Sequence, residues 1–274
     1  MATIRERSGK LIADFRYMGI RCRETTSLED NAYNRRILKK RLEQLEAEIT
    51  LGTFEYEKYF PKSNRVEEFK EKRSQQIAVQ TKVPLFKEFT ELWLKQKQVE
   101  WRTSYQQKVS IVIKNYLIPA FGNQVLSKIK KSDLLNFRAS LAKVTHGKNQ
   151  TSLKASRINQ IMTPLRMILN DAAERYEFES PYKNINNLKE SKIEVTPFSL
   201  EEVHKILTTV REDFRPYYTI RFFTGMRTSE IDGLQWKNID LQRREIHIRE
   251  ALVNGVLGGT KTYGSDRTIQ MSDR

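Results

Sequence analysis

In the opening stretch TIRERSGKLIADFRYMGIRCRETTSL, Ser8-Gly9 and Met18-Gly19 divide the chain into short runs. Glycine takes up positive φ without a steric penalty, and such a pair between apolar runs marks a tight hairpin turn. Ile4, then Leu11, Ile12, Ala13 and Phe15, then Tyr17 and Ile20 fall between these turns, so a small antiparallel sheet is expected. In DNAYNRRILKKRLEQLEAEITLG the period changes. Ile37, Leu38, Leu42, Leu45 and Ile49 recur at helical spacing, with Asp30 as the capping residue and Gly52 as the closing glycine. Arg35, Arg36, Lys39, Lys40 and Arg41 crowd the first half of this helix, the pattern of a solvated face. The sheet carries Arg5, Arg7, Lys10, Arg16, Arg21 and Arg23, and a two- or three-stranded ribbon fits the major groove of duplex DNA.

The whole chain leans the same way. Its 274 residues hold 49 Lys and Arg against 34 Asp and Glu, a net charge of +15. An excess of that size points to a polyanionic partner, most commonly nucleic acid. With 38% apolar and 30% charged residues the chain can build cores, and its length suits two domains, or three if one is small. Cys22 is alone, which excludes an internal disulfide, and His146, His204 and His247 lie too far apart for a zinc site. No metal or other cofactor is expected. The start MATIRERSGK lacks the apolar core of a secretory signal, and no uninterrupted apolar run reaches membrane-spanning length. The expectation is a cytoplasmic protein with no membrane partner.

Residues 1–69 form the first expected domain, and the polar stretch KEKRSQQIAVQTK (70–82) reads as a linker. Residues 83–183 read as a four-helix bundle. Phe86, Phe89, Leu92, Trp93 and Leu94 mark one helix; Tyr105 to Ile118 gives another, stopped by Pro119 and Gly122. Ser132 starts a third, and Ser152 starts a long fourth, with Pro164 inside it to kink it. The bundle is basic, and Lys130, Lys131, Lys154 and Arg157 are its candidate DNA-backbone contacts. A second linker, 184–198, leads to residues 199–274, where helices give way to strands, an α+β pattern. Ser199 and Glu202 form a capping box, Gly225 closes a helix, and Thr228 or Ser229 is available to cap the next. Ile246 and Ile248 alternate with His247 and Arg249 as in a strand, and GGTKTYGSDRTIQMS reads as a hairpin around Gly264-Ser265.

GVLGGTKT (255–262) nearly matches a phosphate-binding P-loop, but Thr260 stands where the second glycine belongs and the following residues do not read as a helix. Two cations in the last segment draw attention instead. Arg227 opens a helix, where a positive charge is disfavoured by about 0.3–1 kcal/mol, and Lys261 sits on the hairpin. Each has two readings. Arg227 either pairs with Glu230 or meets an anion, for which its planar fork and permanent charge suit it; Lys261 is either a solvated cation or a proton donor to a departing alkoxide.

TGMRTSEIDGLQWKNIDL resembles the T-G-x-R-x-x-E box of tyrosine recombinases, the phage-integrase family, and GGTKTYGSDRTIQM resembles the family's catalytic lysine hairpin. The two boxes follow a basic helical bundle in the family's order, and the opening sheet, helix and GTFEYEKYFP stretch resemble the arm-site DNA-binding domain of phage and genomic-island integrases. The resemblance implies a multidomain, mainly α fold with α+β: a three-stranded sheet with a helix, a core-binding bundle and a catalytic domain. It implies double-stranded DNA of arm-type and core-type attachment sites as partner, self-association on that DNA by the full-length protein, and action at the nucleoid. Arg227 and Lys261 become catalytic residues and Glu230 their supporting residue. The family's H-x-x-R box and nucleophilic tyrosine have no match before Arg274. The chain is therefore expected to be the N-terminal part of a recombinase that does not cleave DNA by itself, or a truncated remnant that occupies attachment sites.

Overall fold

A computed structural model describes residues 2–143, 145–146, 151–191, 194–259 and 266–272 of the chain. They form two compact units, one of Met1–Gln96 with Val112–Asn187 and one of Lys97–Ile111 with Leu188–Arg274.

The first unit begins with the expected sheet. Strands β1 (Thr3–Arg7), β2 (Lys10–Tyr17) and β3 (Ile20–Glu29) pair antiparallel in the order β1-β2-β3. Both turns have two consecutive residues at positive φ, Ser8 and Gly9 at 54° and 77°, Met18 and Gly19 at 48° and 77°. This is the turn whose twist matches the flanking strands. Leu11, Ala13, Phe15 and Tyr17 alternate onto the buried face and pack with Leu38, Leu42 and Leu45 of helix α1 (Ala32–Leu51). Phe54, Tyr56 of the short helix α2 (Tyr56–Tyr59) and Phe69 complete an aromatic core, with the Tyr56 and Phe69 rings stacked 4.4 Å apart. Gly52 closes α1 at φ 72°, but Asn31, not Asp30, caps its start; Asp30 instead forms an ion pair with Arg35.

The polar stretch 70–82 is not an irregular linker: Val66–Thr81 form helix α3. Lys, Glu and Gln are strong helix formers, Glu68 and Lys72 pair across one turn, and buried Phe69 anchors the helix. Helix α4 (Phe86–Lys97) buries Phe86, Phe89 and Trp93 along one stripe. Pro119 does not stop the next helix. Helix α5 (Thr103–Val112) passes into a π-helical turn over Ile113–Leu117 and on into α6 (Ile118–Phe121), which contains Pro119. The register has already slipped to Ile118 N–H bonding the Ile113 carbonyl before the proline, whose missing N–H falls within that irregularity. Helix α7 (Lys131–Lys143) begins one residue before Ser132, with Asp133 accepting from the Lys130 amide. Helix α8 (Ala155–Arg175) begins three residues after Ser152, because Thr151–Ser152 (β5) pairs with Thr145–His146 (β4). Pro164 is buried within α8, and Ile161, Leu165, Ile168 and Leu169 are fully buried on the same helix.

In the second unit, helix α9 (Leu200–Thr209) starts with the expected reciprocal cap between Ser199 and Glu202. Helix α10 (Arg215–Thr224) ends at Gly225, φ 64°, and the short helix α11 (Thr228–Asp232) follows. Strands β6 (Ile239–Asp240), β7 (Glu245–Ile248) and β10 (Arg267–Gln270) form one sheet in the order β10-β7-β6, and β8 (Glu250–Val253) pairs with β9 (Val256–Gly259) in another. The hairpin expected around Gly264-Ser265 is thus divided: its arms β9 and β10 belong to different sheets, and its tip lies outside the described residues. Asn254-Gly255, at φ 53° and 77°, supplies the tight turn instead. Met226, Ile231, Ile246 and Ile248 make the core of this unit.

Gly233 ends α11 where it meets β8, and a Cβ there would lie 2.8 Å from the Leu252 amide nitrogen and 3.0 Å from the Ala251 carbonyl carbon. Both are backbone atoms, so relief requires the strand to move. Gly233→Ala is expected to destabilise this unit by about 1–3 kcal/mol. Hydrogen exchange should show lost protection at Ile246 and Ile248 with α8 unchanged; equal protection in both proteins would contradict the close packing.

Candidate nucleic-acid interface

The register of the first sheet decides where its cations lie. Arg5 stands opposite Ile12, Arg7 opposite Lys10, Arg16 opposite Arg21, and Asp14 opposite Arg23. Since neighbouring positions across strands share a face and successive ones alternate, Arg5, Arg7, Lys10, Arg16, Arg21 and Arg23 all lie on the face opposite the aromatic core. All six are exposed. A buried acid lies among them: Asp14, 4% exposed, with ion-pair contacts to Arg5 at 2.7 Å, Arg21 at 2.7 Å and Arg23 at 3.4 Å. The Arg21 hydrogen bond is the main reason that the Asp14 carboxyl is held down at about 2; burial opposes it, and the charges of Arg21, Arg5 and Arg23 add to the depression.

The four bundle candidates sit at two helix starts. Lys130 and Lys131 are exposed at the head of α7; Lys154 is exposed at the cap position of α8, and Arg157, half-buried, lies in its first turn and donates to Gln160. Free amides and the dipole make helix starts positive, so the side chains add to a field that already favours phosphate.

In the second unit Arg227 holds the cap position of α11 with extended backbone (φ −69°, ψ 154°), so neither Thr228 nor Ser229 is the cap. The capping acceptor comes from within the helix. Glu230, at the third helical position, accepts the Arg227 amide at 2.9 Å and the Arg227 Nη1 at 2.7 Å. The same carboxylate accepts Nη1 and Nη2 of Arg267, from β10, at 3.2 and 2.9 Å. Glu230 is 3% exposed whereas the Arg227 side chain is 61% exposed. Burial alone would raise the Glu230 carboxyl, but hydrogen bonds from Arg267 and from the backbone and side chain of Arg227 outweigh it and hold it at about 2. Both readings of Arg227 are therefore compatible: its ion pair with Glu230 is formed, and the guanidinium still faces solvent. Lys261 lies outside the described residues. Reading the sequence for site residues passed over Asp14 and Arg267. Arg267 was signalled only as part of the lysine-hairpin segment, and Asp14 as an acid between Lys10 and Arg16 in the alternation of β2.

Two family models match. Residues 1–64 match an arm DNA-binding domain, and residues 85–142 match the N-terminal SAM-like domain of phage integrases. In these two stretches the chain resembles the DNA-binding parts of phage integrases. Similar proteins bear integrase names. The prophage integrase IntR of Escherichia coli K12 is 25% identical over 94% of the chain, and the ICEBs1 integrase of Bacillus subtilis 168 is 26% identical over 76%. A further E. coli K12 protein, named "Putative defective protein IntQ", is 29% identical over 81%. The chain spans 56%, 63% and 55% of the length of IntQ, IntR and the ICEBs1 integrase. The fold of the chain resembles that of the Tn1549 transposon integrase, solved in complex with a circular intermediate DNA. The TM-score is 0.54 at 18% identity, covering 68% of this chain and 61% of that one. No helix among the described residues is long and apolar enough to cross a membrane.

The depressed Glu230 carboxyl carries a pH signature. Its ordinary value is 4.5 and its folded value about 2, so its stabilisation is complete above pH 4.5 and is lost as pH falls toward 2. Glu230→Gln is expected to lower stability at pH 7 by about 1.5–3 kcal/mol, the range for hydrogen bonds to a charged group, and to flatten the stability curve between pH 5 and 2. Denaturant melts across that range check this; parallel curves for the two proteins would contradict it.

Proposed function

We propose that the chain serves a site-specific DNA recombinase of a phage or genomic island. In this reading residues 1–69 bind arm-type sites through the cationic sheet face, residues 83–183 bind core-type sites, and residues 199–274 carry Arg227 to the phosphate that is cut. Residues 70–82 and 184–198 join these parts, the former as a helical connector. The carrying observation is Arg227 itself: an exposed guanidinium fixed at a helix start by a carboxylate with almost no solvent access. A phosphodiester under attack accumulates charge on its non-bridging oxygens, and a positioned cation there is worth roughly 10²–10³ in rate.

In the family reaction a tyrosine oxygen forms a bond to phosphorus as the bond from phosphorus to the 5′-oxygen breaks, leaving a 3′-phosphotyrosyl link and a 5′-hydroxyl. The role assigned to Lys261 is to protonate that departing oxygen, and Glu230 keeps Arg227 in place. A 5′-hydroxyl of the partner strand then displaces the tyrosine, so the bond energy is kept without ATP or metal. Tyrosine chemistry and self-association on DNA belong in this reading to the full-length protein. The similarity to IntQ, a protein named as defective, favours a second reading in which the protein occupies attachment sites without cutting them.

The test of Arg227 does not depend on cleavage. A duplex selected from random sequence by the chain is remade with neutral methylphosphonates, one position at a time. One neutral linkage is expected to weaken binding several-fold in the wild type and to have no further effect in Arg227→Ala. If the same positions matter equally in both proteins, Arg227 does not meet a phosphate.

A further inference from the structure

The DNA-facing sheet contains a group that an electrostatic account of binding would not predict. Asp14 lies on the cationic face, since it stands opposite Arg23 and in the same alternation as Lys10 and Arg16. A carboxylate there repels phosphate. Yet it is not a solvated acid that DNA could push aside: its side chain is 5% exposed, beneath arginine side chains that are 55%, 48% and 56% exposed at Arg5, Arg21 and Arg23. Arg21 grips it with two prongs, Nε to Oδ1 at 2.9 Å and Nη2 to Oδ2 at 2.7 Å. The nearest approaches of Arg5 and Arg23 are through Nε, the inner nitrogen of the guanidinium, at 2.7 and 3.4 Å. Three strands each supply part of the cluster: Arg5 from β1, Asp14 from β2, Arg21 and Arg23 from β3.

We propose that Asp14 is a positioning residue for sequence discrimination, a buried carboxylate that fixes the directions of Arg5, Arg21 and Arg23 while cancelling one of their charges. The proposal rests on the reading of this face as a DNA surface. Binding to the phosphate backbone needs charge but little order, because each neutralised phosphate releases counterions whatever the sequence. Reading a guanine edge needs a guanidinium fork held in one plane, and a free arginine gives up rotamer freedom to supply it. A carboxylate among three arginines trades some of the first for the second. Asp14 is itself too buried to touch a base, which separates this role from direct readout.

The test uses the whole chain, a 20-base-pair random-sequence duplex and the duplex the wild type selects from a random library, with anisotropy read across 50–200 mM salt. Asp14→Asn is expected to bind random duplex several-fold tighter, to steepen the log–log salt slope by about one, and to lower the selected-to-random affinity ratio about tenfold. Arg21→Lys keeps the charge and breaks the two-pronged grip; it is expected to lower that ratio with the slope unchanged, and it decides the matter should D14N fail to fold. A folded D14N with wild-type slope and ratio, or with both affinities reduced equally, overturns the proposal, as does R21K with a wild-type ratio. Arg16→Ala separates the underlying reading: if it leaves random-duplex affinity and salt slope unchanged, the face is not a DNA surface at all.

Discussion

A carboxylate that water hardly reaches, Glu230, fixes the geometry of the second unit. Its two oxygens take four hydrogen bonds, from the backbone and side chain of Arg227 and from both terminal nitrogens of Arg267. One side chain thereby caps α11, offsets a cation at a helix start, and ties β10 to the helix that carries Arg227. Removing a buried ion from water is expensive and is recovered only when its hydrogen bonds are well made, as they are here. Gly233 serves the same end of the molecule, since its lack of a side chain lets the end of α11 lie against the backbone of β8.

The sheet of the first unit repeats the device with Asp14. In both places a carboxylate is sunk at the base of the arrangement and guanidinium groups stand above it toward solvent. The distribution suits a protein whose partner is polyanionic. Arginine keeps its charge at any physiological pH, and a buried acid can order it without contacting the partner. Within such a design the charge balance of +15 supplies attraction, while the two carboxylates direct where particular cations point.

Much of this was legible from residue order. The period-2 alternation and the two glycine-containing turns give the sheet, and the register then follows, because a slip of one residue would bury arginines and expose Phe15 and Tyr17. The arginine at a helix start, with a glutamate three residues on, identifies the Arg227 pair. What was not legible has physical causes. Helix α3 carries little apolar surface, so its polar composition resembles a connector until Phe69 is seen against the aromatic core. Pro119 reads as a stop because nothing local reveals a π-helical turn that accommodates it. Strands β9 and β10 read as one hairpin because each pairs with a neighbour, β8 or β7, that lies outside that segment. Asp14 and Arg267 escaped notice because their importance depends on partners brought together by strand pairing and by the fold.

The central claim, that the chain meets duplex DNA with the cationic face of its first sheet, is tested most directly by nuclear magnetic resonance of the arginine side chains during titration with duplex. The Nε–Hε signals of Arg5, Arg7, Arg16, Arg21 and Arg23 should shift and lose exchange with water as DNA is added, with those of Arg35, Arg36 and Arg41 on α1 little changed. Shifts confined to the α1 arginines, with the sheet signals unmoved, would contradict it.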